Sequence, residues 1–316
     1  MTPDVLATLQ QHLLQCLASP PSEVRRLLHG RGRCWPGLEQ LTVDWLQGTL
    51  LVCLYRDPGA AALAALQDSL HALTRQPQWA SSGAERLLLQ LRYLADSPAL
   101  WLHGTPVQQC QVSEQGLHYL LDLGSKQNNG LFLDMRLGRQ WVREQAAGRR
   151  VLNLFAYTCG FSVAALAGGA QQVVNLDMAR AALSRGRDNH RLNGQPLERV
   201  SFLGHELFRS WGKLRKLGPY DLIIIDPPSL QKGSFVLSQD YPRVLRRLPE
   251  LLAPQGLVLA CVNAPEVGTE FLLHSMAEAA PSLQFVQRLD NPPEFADRDP
   301  QCALKAMVFQ APAAQG

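Results

Sequence analysis

The stretch Val151–Gly160, VLNLFAYTCG, decides the fold. Val151, Leu152, Leu154 and Phe155 make an apolar strand end, and the loop that follows opens onto a helix near Phe161. Asn153 is the one polar residue of the run. A polar side chain in a buried parallel strand is costly unless it has a partner, and the carboxyl edge of such strands is where open α/β sheets bind ligands. Downstream, Gln172–Asp177 (QVVNLD) repeats the theme, an apolar strand ending in a carboxylate, and Asp221–Pro228 (DLIIIDPP) repeats it again. Helical stretches lie between the three. This is half of a nucleotide-type fold, and an acid ending the second strand suits a ribose, whose paired hydroxyls can both donate to it.

Working outward, the helices are predicted at Phe161–Ala167, Ala179–Leu192 and Tyr241–Leu252, with an amphipathic basic one at Phe208–Leu217. Leu137–Ala147 is expected as a helix before the central strand and Thr269–Ala280 as one after Gly256–Val262, the fifth strand. Val200–Leu203 and Phe285–Leu289 read as further strands, and Ala303–Gln310 as an antiparallel edge. Upstream, a helix runs to about Ser19 with Leu6, Leu9, Leu13, Leu14 and Leu17 on one side and stops at Pro20-Pro21. Leu41–Trp45 and Leu50–Tyr55 flank Gln47-Gly48 in a hairpin pattern. Ala60–Leu73 is helical, Glu85–Leu94 continues a helical or mixed pattern, and Gln108–Leu123 holds two short strands around Glu114–Gly116. The domains expected are therefore a small α+β module over residues 1–122 and the main α/β domain over 123–316.

The 316 residues suggest two domains, and at 46% hydrophobic they can bury a sizeable core. No apolar run approaches the ~20 residues that span a bilayer, and the N-terminus lacks a signal-peptide layout, so the expected location is cytoplasmic, with no membrane partner. Seven cysteines without a C-x-x-C pair argue against a disulfide framework and a zinc site. A formal net charge of +3 does not by itself indicate nucleic-acid binding. Glu23–Arg33 (EVRRLLHGRGR) is the basic segment; its Arg25, Arg26, Arg31 and Arg33 suit either RNA phosphates or a solvated helix face.

Four segments in order carry a specific resemblance: NLFAYTCGFSVAALAGGA (Asn153–Ala170), VVNLDMARAAL (Val173–Leu183), NHRLNG (Asn189–Gly194) and DLIIIDPPS (Asp221–Ser229). Together they resemble the S-adenosylmethionine-dependent methyltransferases that act on 23S ribosomal RNA, in particular the cytosine-C5 large-subunit enzyme and the guanine-N7 domain of its relative. Upstream, NNGLFLDMR (Asn128–Arg136) is similar to that family's K-T-G-x-F-L-D-x-R segment, and GRCWPGLEQLTVDW (Gly32–Trp45) to the start of its small N-terminal module.

The resemblance implies a Rossmann-like class I methyltransferase with a central, mostly parallel seven-stranded sheet, preceded by a small α+β domain that serves RNA or substrate binding. S-adenosyl-L-methionine is the implied cofactor. Asp177 would take the ribose hydroxyls, although Asp before Ala179 also suits a helix N-cap. Met178 would lie against the adenine and Glu206 in LGHELF would accept from its amino group; His205 beside it reads as structural. Asn153, Phe155, Tyr157, Thr158 and Gly160 would surround the methionine part, capped by Phe132 and by Arg136, which could pair with its carboxylate. Where most members carry glycine, this chain has Cys159. Glycine there lets the backbone approach a ligand, so either Cys159 keeps a negative φ in a reshaped loop or Gly160 takes over; the thiol reads as a small buried filler rather than a nucleophile.

The catalytic candidates are Asp226, Pro227, Pro228 and Asn263. Two prolines stiffen a loop that would hold a flat ring, and Asp226 could accept from a base amino group. Cytosine C5 is a weak nucleophile, and enzymes that methylate it first attack C6 with a thiolate. The C5 members carry that cysteine after the fifth strand, where LACVNAP puts Asn263; Cys261 lies two residues deeper. Asn263 therefore favours a non-covalent target such as guanine N7. The implied partner is RNA, 23S rRNA by resemblance, and the pairing of several family members suggests a homodimer. A methyltransferase for a protein or small molecule, and a non-catalytic cofactor- or RNA-binding module, are the alternatives. A nicotinamide dehydrogenase is disfavoured because Phe155 and Tyr157 stand where G-x-G-x-x-G needs glycines.

Overall fold

The computed structural model describes residues 1–124, 127–228, 230–231 and 235–314, and the chain divides into two compact units. The first comprises Met1–Leu133 and Pro292–Pro300, the second Asp134–Asn291 and Gln301–Gly316. The division thus falls later than residue 122, and a segment near the C-terminus belongs to the first unit. An excursion of this kind leaves no composition signal.

In the first unit, α1 (Pro3–Ala18) is capped by Thr2, whose hydroxyl accepts from Val5 N–H. Strands β1 (Arg25–His29), β2 (Leu41–Trp45) and β3 (Thr49–Leu54) precede α2 (Ala60–Leu73) and the short α3 (Pro77–Ser81), which lead to β4 (Arg86–Leu91) and β5 (Ala99–His103). These five strands form one sheet in chain order, with β3 and β4 parallel and the rest antiparallel. The expected hairpin is present, with Gln47 (φ 51°) and Gly48 (φ 108°) in the left-handed region. Leu6, Leu9, Leu13 and Leu17 of α1 pack with Leu66, Leu70 and Leu73 of α2 against the sheet's Leu28, Val43, Val52 and Leu89. Strands β6 (Gln109–Glu114) and β7 (Leu117–Asp122) form a separate hairpin.

Two expectations fail here. Residues 86–91 are a strand, not a helical continuation: five of the six, Leu87 to Leu91, are buried, and a strand covered on both faces loses the alternation that marks it. The basic segment from Arg25 is likewise a strand, not a helix face, and its arginines are occupied. Arg26 pairs with Asp44, Arg25 with Glu23 and Glu294, Arg33 with Asp297, and Arg31 stacks on Tyr55.

The second unit is built on α4 (Arg136–Gln145), β8 (Arg150–Leu154), α5 (Gly160–Ala167), β9 (Gln172–Leu176), α6 (Arg180–Leu192), β10 (Val200–Leu203), α7 (Trp211–Leu217) and β11 (Tyr220–Ile225). A small hairpin of β12 (Leu230–Gln231) and β13 (Phe235–Val236) follows, then α8 (Leu237–Leu245), α9 (Leu248–Leu251), β14 (Leu252–Val262), α10 (Thr269–Ala279), β15 (Gln284–Arg288) and β16 (Lys305–Gln310). The seven-stranded sheet has the order β10-β9-β8-β11-β14-β16-β15. The first five are parallel; β16 runs antiparallel between β14 and β15, and β15, antiparallel to β16, points the same way as the first five. The seven-stranded, mostly parallel sheet expected is therefore present, with one exchange: Lys305–Gln310 lies inside the sheet, and Gln284–Arg288 is the edge.

The sheet is covered on both faces, as its unbroken apolar strands require. Leu152, Leu154, Ile223, Ile225, Val258 and Ala260 face α7 to α10, while Val151, Val173, Leu222, Ile224 and Leu259 face α4 and α5. Chain order reverses between β8 and β11, so the carboxyl ends of β8, β9 and β11 frame the place where this architecture takes ligands. Among the described residues, no helix is long and apolar enough to cross a membrane.

Candidate functional site

Everything at the switch point begins with the loop after β8. Phe155, Tyr157 and Cys159 have φ of 57°, 46° and 63°. Three non-glycine residues in the left-handed region within five positions are costly, about 1 kcal/mol or more each, and such strain concentrates at ligand clamps. Both expectations for Cys159 are therefore corrected: its φ is positive, and Gly160, without a positive φ, simply opens α5.

The loop holds this shape because its backbone is tied down at several points. Ala156 N–H donates to the Leu176 carbonyl at 3.1 Å and Cys159 N–H to the Ala156 carbonyl at 2.7 Å. Asp177 accepts twice: Oδ2 from Tyr157 N–H at 2.8 Å and Oδ1 from Ala179 N–H at 2.7 Å. The N-cap of α6 is Ala179, so Asp177 does not cap the helix itself but fastens the turn before it, and each of its carboxylate oxygens keeps a lone pair. Asn189 Nδ2 donates to the Thr158 carbonyl at 3.0 Å. Cys159 is fully buried, and burial beside Asp177 pushes its thiol far above the usual range, which fits a filler and not a nucleophile.

Asn153 has the partner it needs. Its Nδ2 donates to Asn175 Oδ1 at 2.9 Å, Asn175 Nδ2 to Ser162 Oγ at 2.9 Å, and Ser162 contacts His190 Nε2 at 2.9 Å. His190 Nδ1 lies 2.6 Å from Gln195 Oε1, and Gln195 Nε2 donates to the Val163 carbonyl. The pattern closes with neutral His190 protonated on Nδ1, since Gln195 Oε1 can only accept. Burial holds the His190 pKa at about 4, so this form persists at neutral pH. Asn153 therefore sits in a buried relay beneath the loop, and any effect it has on a ligand passes through that relay.

Met178, next to Asp177, is 48% exposed, an apolar side chain left in solvent beside a carboxylate. Glu206 accepts from Phe208 N–H at 2.9 Å and caps the turn after β10. Phe155 meets Phe235 edge-on at 5.0 Å between ring centroids. Arg136 is the first residue of α4 and half-buried. Phe132 belongs to the first unit and is 43% exposed.

The chemical edge of the site lies at the ends of β11 and β14. Asp226 follows β11, Pro227 is buried and Pro228 exposed; Ser229 lies outside the described residues. The Asp226 pKa is pushed up to about 7 by burial first and by the nearby Asp134 charge second, with Arg139 opposing. Asn263 Nδ2 donates to Asp134 Oδ2 at 2.9 Å. Cys261 is buried in β14, its thiol pushed well above the usual range by burial and by Asp226 and Asp134, and its carbonyl accepts from Tyr241 Oη at 3.1 Å. Lys305, fully buried, donates to the carbonyl of Ala264 at 2.7 Å and so fixes the chain just past Asn263.

Sequence reasoning missed Asp134, Arg139, Lys305 and Gly186. Asp134 was within sight, since it lies between the two residues taken from NNGLFLDMR. Gly186, in α6, has no local signal: a Cβ there would collide with Cys159 Sγ, so its reason is tertiary.

The donor set can be tested against a sulfonium nucleoside. A doubly anchored carboxylate with spare lone pairs at the end of β9 suits vicinal hydroxyls, and an exposed Met178 beside it suits an apolar ring. The residues fit the group.

The chain matches the family model described as S-adenosylmethionine-dependent methyltransferase over residues 25–310. It is 36% identical over 163 residues to ribosomal RNA large subunit methyltransferase I of Aeromonas salmonicida, covering 50% of this chain and 41% of that protein. It is 30% identical over 266 residues to the protein of the same name from Serratia proteamaculans, covering 81% of this chain and 64% of that one. The chain thus spans about half the length of these curated relatives, between 41% and 64%. In fold it is similar to a solved structure titled as a SAM-dependent methyltransferase from Streptococcus mutans, with TM-score 0.84 and 24% identity over 98% of this chain and 81% of that one.

Proposed function

The chain belongs to the S-adenosylmethionine-dependent methyltransferase family, and from that premise we propose that it moves the donor's methyl group to a ring nitrogen of a base in ribosomal RNA, guanine N7 in 23S rRNA being the target that fits best. When bound, the donor supplies an electrophilic methyl carbon. The protein's part is placement, which accounts for most of the rate in such transfers. Asp177 would hold the ribose, with Met178 under the adenine and Glu206 near its amino group. The loop of Phe155, Tyr157, Thr158 and Gly160 would surround the methionine part, with Arg136 on its carboxylate.

The observation that carries the non-covalent reading is the pair Asn263 and Cys261. The position at the strand end is an amide held by Asp134, and the nearby thiol is buried and un-ionised at neutral pH. Among the described residues, neither position offers a thiolate for attack on a pyrimidine ring, which supports a non-covalent transfer. Pro227 and Pro228 would stiffen the wall against which the ring rests, and Asp226, once ionised, would accept from a base N–H. The names of the curated relatives support ribosomal RNA as the substrate class.

The test is transfer of tritiated methyl from S-adenosylmethionine to deproteinised 23S and 16S rRNA from a strain lacking the gene, followed by nucleoside mass spectrometry. Label in 7-methylguanosine supports the reading. Label in 5-methylcytidine overturns the non-covalent part, and label only in protein or small molecules overturns the RNA part.

A further inference from the structure

The second unit carries a face of interleaved rings and cations that the site does not use. Phe208 precedes α7 and Trp211 opens it, their ring centroids 6.3 Å apart. The Arg243 guanidinium lies 4.0 Å from the Phe208 centroid, and that of Arg247, one turn further on, lies 5.9 Å from Trp211. Arg215 and Arg247 share Glu250, at 3.2 and 3.1 Å, and Arg243 pairs with Asp240 at 2.6 Å. These contacts stitch α7 to α8 and α9 and hold the guanidinium planes against the rings.

Around this ladder stand four more cations. Arg209 is 91% exposed and only loosely near Glu206, at 3.7 Å. Lys213 has its neighbour in His205, at 3.3 Å, and among the described residues Lys216 and Arg246 hold no ion pair. Among the described residues, the ion pairs that the group Arg209, Lys213, Arg215, Lys216, Arg243, Arg246 and Arg247 makes are with Glu206, Asp240 and Glu250, a surplus of cations larger than the +3 of the whole chain. The face starts at the carboxyl edge of the sheet: Glu206 lies just past β10, and α8 follows the loop and hairpin that begin at Asp226.

We propose that this α7–α8 face is the track for the phosphodiester backbone of the RNA, leading the strand to the Asp226 loop. It replaces the arginine segment at Arg25–Arg33, whose side chains are engaged within the first unit. Stacked, ion-paired guanidiniums are pre-ordered, so they lose little freedom on meeting phosphate, while the unpaired lysines and Arg246 supply counterion release. The inference rests on RNA being the substrate.

The experiment is filter binding of the full chain to deproteinised 23S rRNA across a potassium chloride series, with Lys213→Gln/Lys216→Gln/Arg246→Gln beside the wild type. These side chains are exposed and outside the cofactor crevice, so the heat of binding S-adenosylhomocysteine should be the same in both proteins. The triple variant should bind roughly ten- to a hundredfold more weakly at low salt, and the slope of log affinity against log salt should shrink by about 2. If the wild type binds and the variant matches it in affinity and slope, this face is not the track, although the substrate reading stands. A wild type that retains no rRNA at any salt overturns both. Polyglutamate competing as well as rRNA would assign the face to an acidic protein and overturn the proposal.

Discussion

Asp177 Oδ2 accepts the backbone N–H of Tyr157 at 2.8 Å, so the carboxylate proposed for the ribose also fastens the strained loop that would surround the methionine part. With Oδ1 on Ala179 N–H, one side chain joins β9, the loop and the start of α6. Asp177→Ala would leave two backbone donors without this acceptor, at about 1–3 kcal/mol each for what stays buried. Thermal unfolding of the ligand-free protein should show a Tm lower by about 4–8 °C, and Asp177→Asn, which keeps one acceptor oxygen, should recover part of the loss. An unchanged Tm in Asp177→Ala would mean that the loop keeps its shape without this tie.

Cys159 and Gly186 form a second linked pair. Gly186→Ala alone should destabilise by about 1–3 kcal/mol, because the new methyl meets Cys159 Sγ. In a Cys159→Gly background the obstacle is gone and the left-handed φ of 63° suits glycine. There, the same Gly186→Ala change should stabilise, by up to about 1 kcal/mol from helix propensity. A double-mutant cycle by urea denaturation reads this reversal of sign, and additive effects would refute the contact.

Much of this was legible in the chain. Asp177 and Asp226 were visible because each ends an unbroken apolar run, and the helices between them punctuate cleanly. Leu87–Leu91 was not, because a strand buried on both faces has no period. The position of Lys305–Gln310 inside the sheet was hidden as well, since topology, not local pattern, decides which of the last two strands is the edge. Arg25–Arg33 misled because charge in sequence says nothing of the acids that meet it in space; Asp44, Glu294 and Asp297 come from elsewhere in the chain. The positive φ of Cys159 was unexpected because the ties that impose it come from Ala156, Asp177 and Asn189.

Cys261→Ala should retain most methyl transfer. The thiol is buried and held protonated, so its removal costs packing, about 1–2 kcal/mol, and not chemistry. Steady-state transfer to rRNA checks this. Complete loss of transfer with unfolding and cofactor binding intact would restore a covalent mechanism.

Asp226 gives the pH dependence. Its folded pKa, about 7, lies above the ordinary 3.8. The folded protein therefore binds this proton more tightly than the unfolded chain does. The stabilising contribution is complete below about pH 4 and is lost as pH rises to about 7. Asp226→Asn should accordingly gain stability relative to wild type on going from pH 5 to pH 8. If the ionised carboxylate receives a base N–H, kcat/KM should rise with pH around 7. Asp134→Asn removes the neighbouring charge that helps raise the pKa and should move that midpoint down. A flat profile from pH 5 to 8 in the wild type would exclude Asp226 from that role.

The most direct measurement is calorimetric titration of the chain with S-adenosylhomocysteine, wild type beside Asp177→Ala at a temperature where both are folded. One site per chain is expected in the wild type, with affinity at least about tenfold weaker in the variant, the loss of a charged hydrogen-bond acceptor to a ligand. No heat from the wild type, or equal affinity in the two proteins, would contradict the placement of the donor at Asp177.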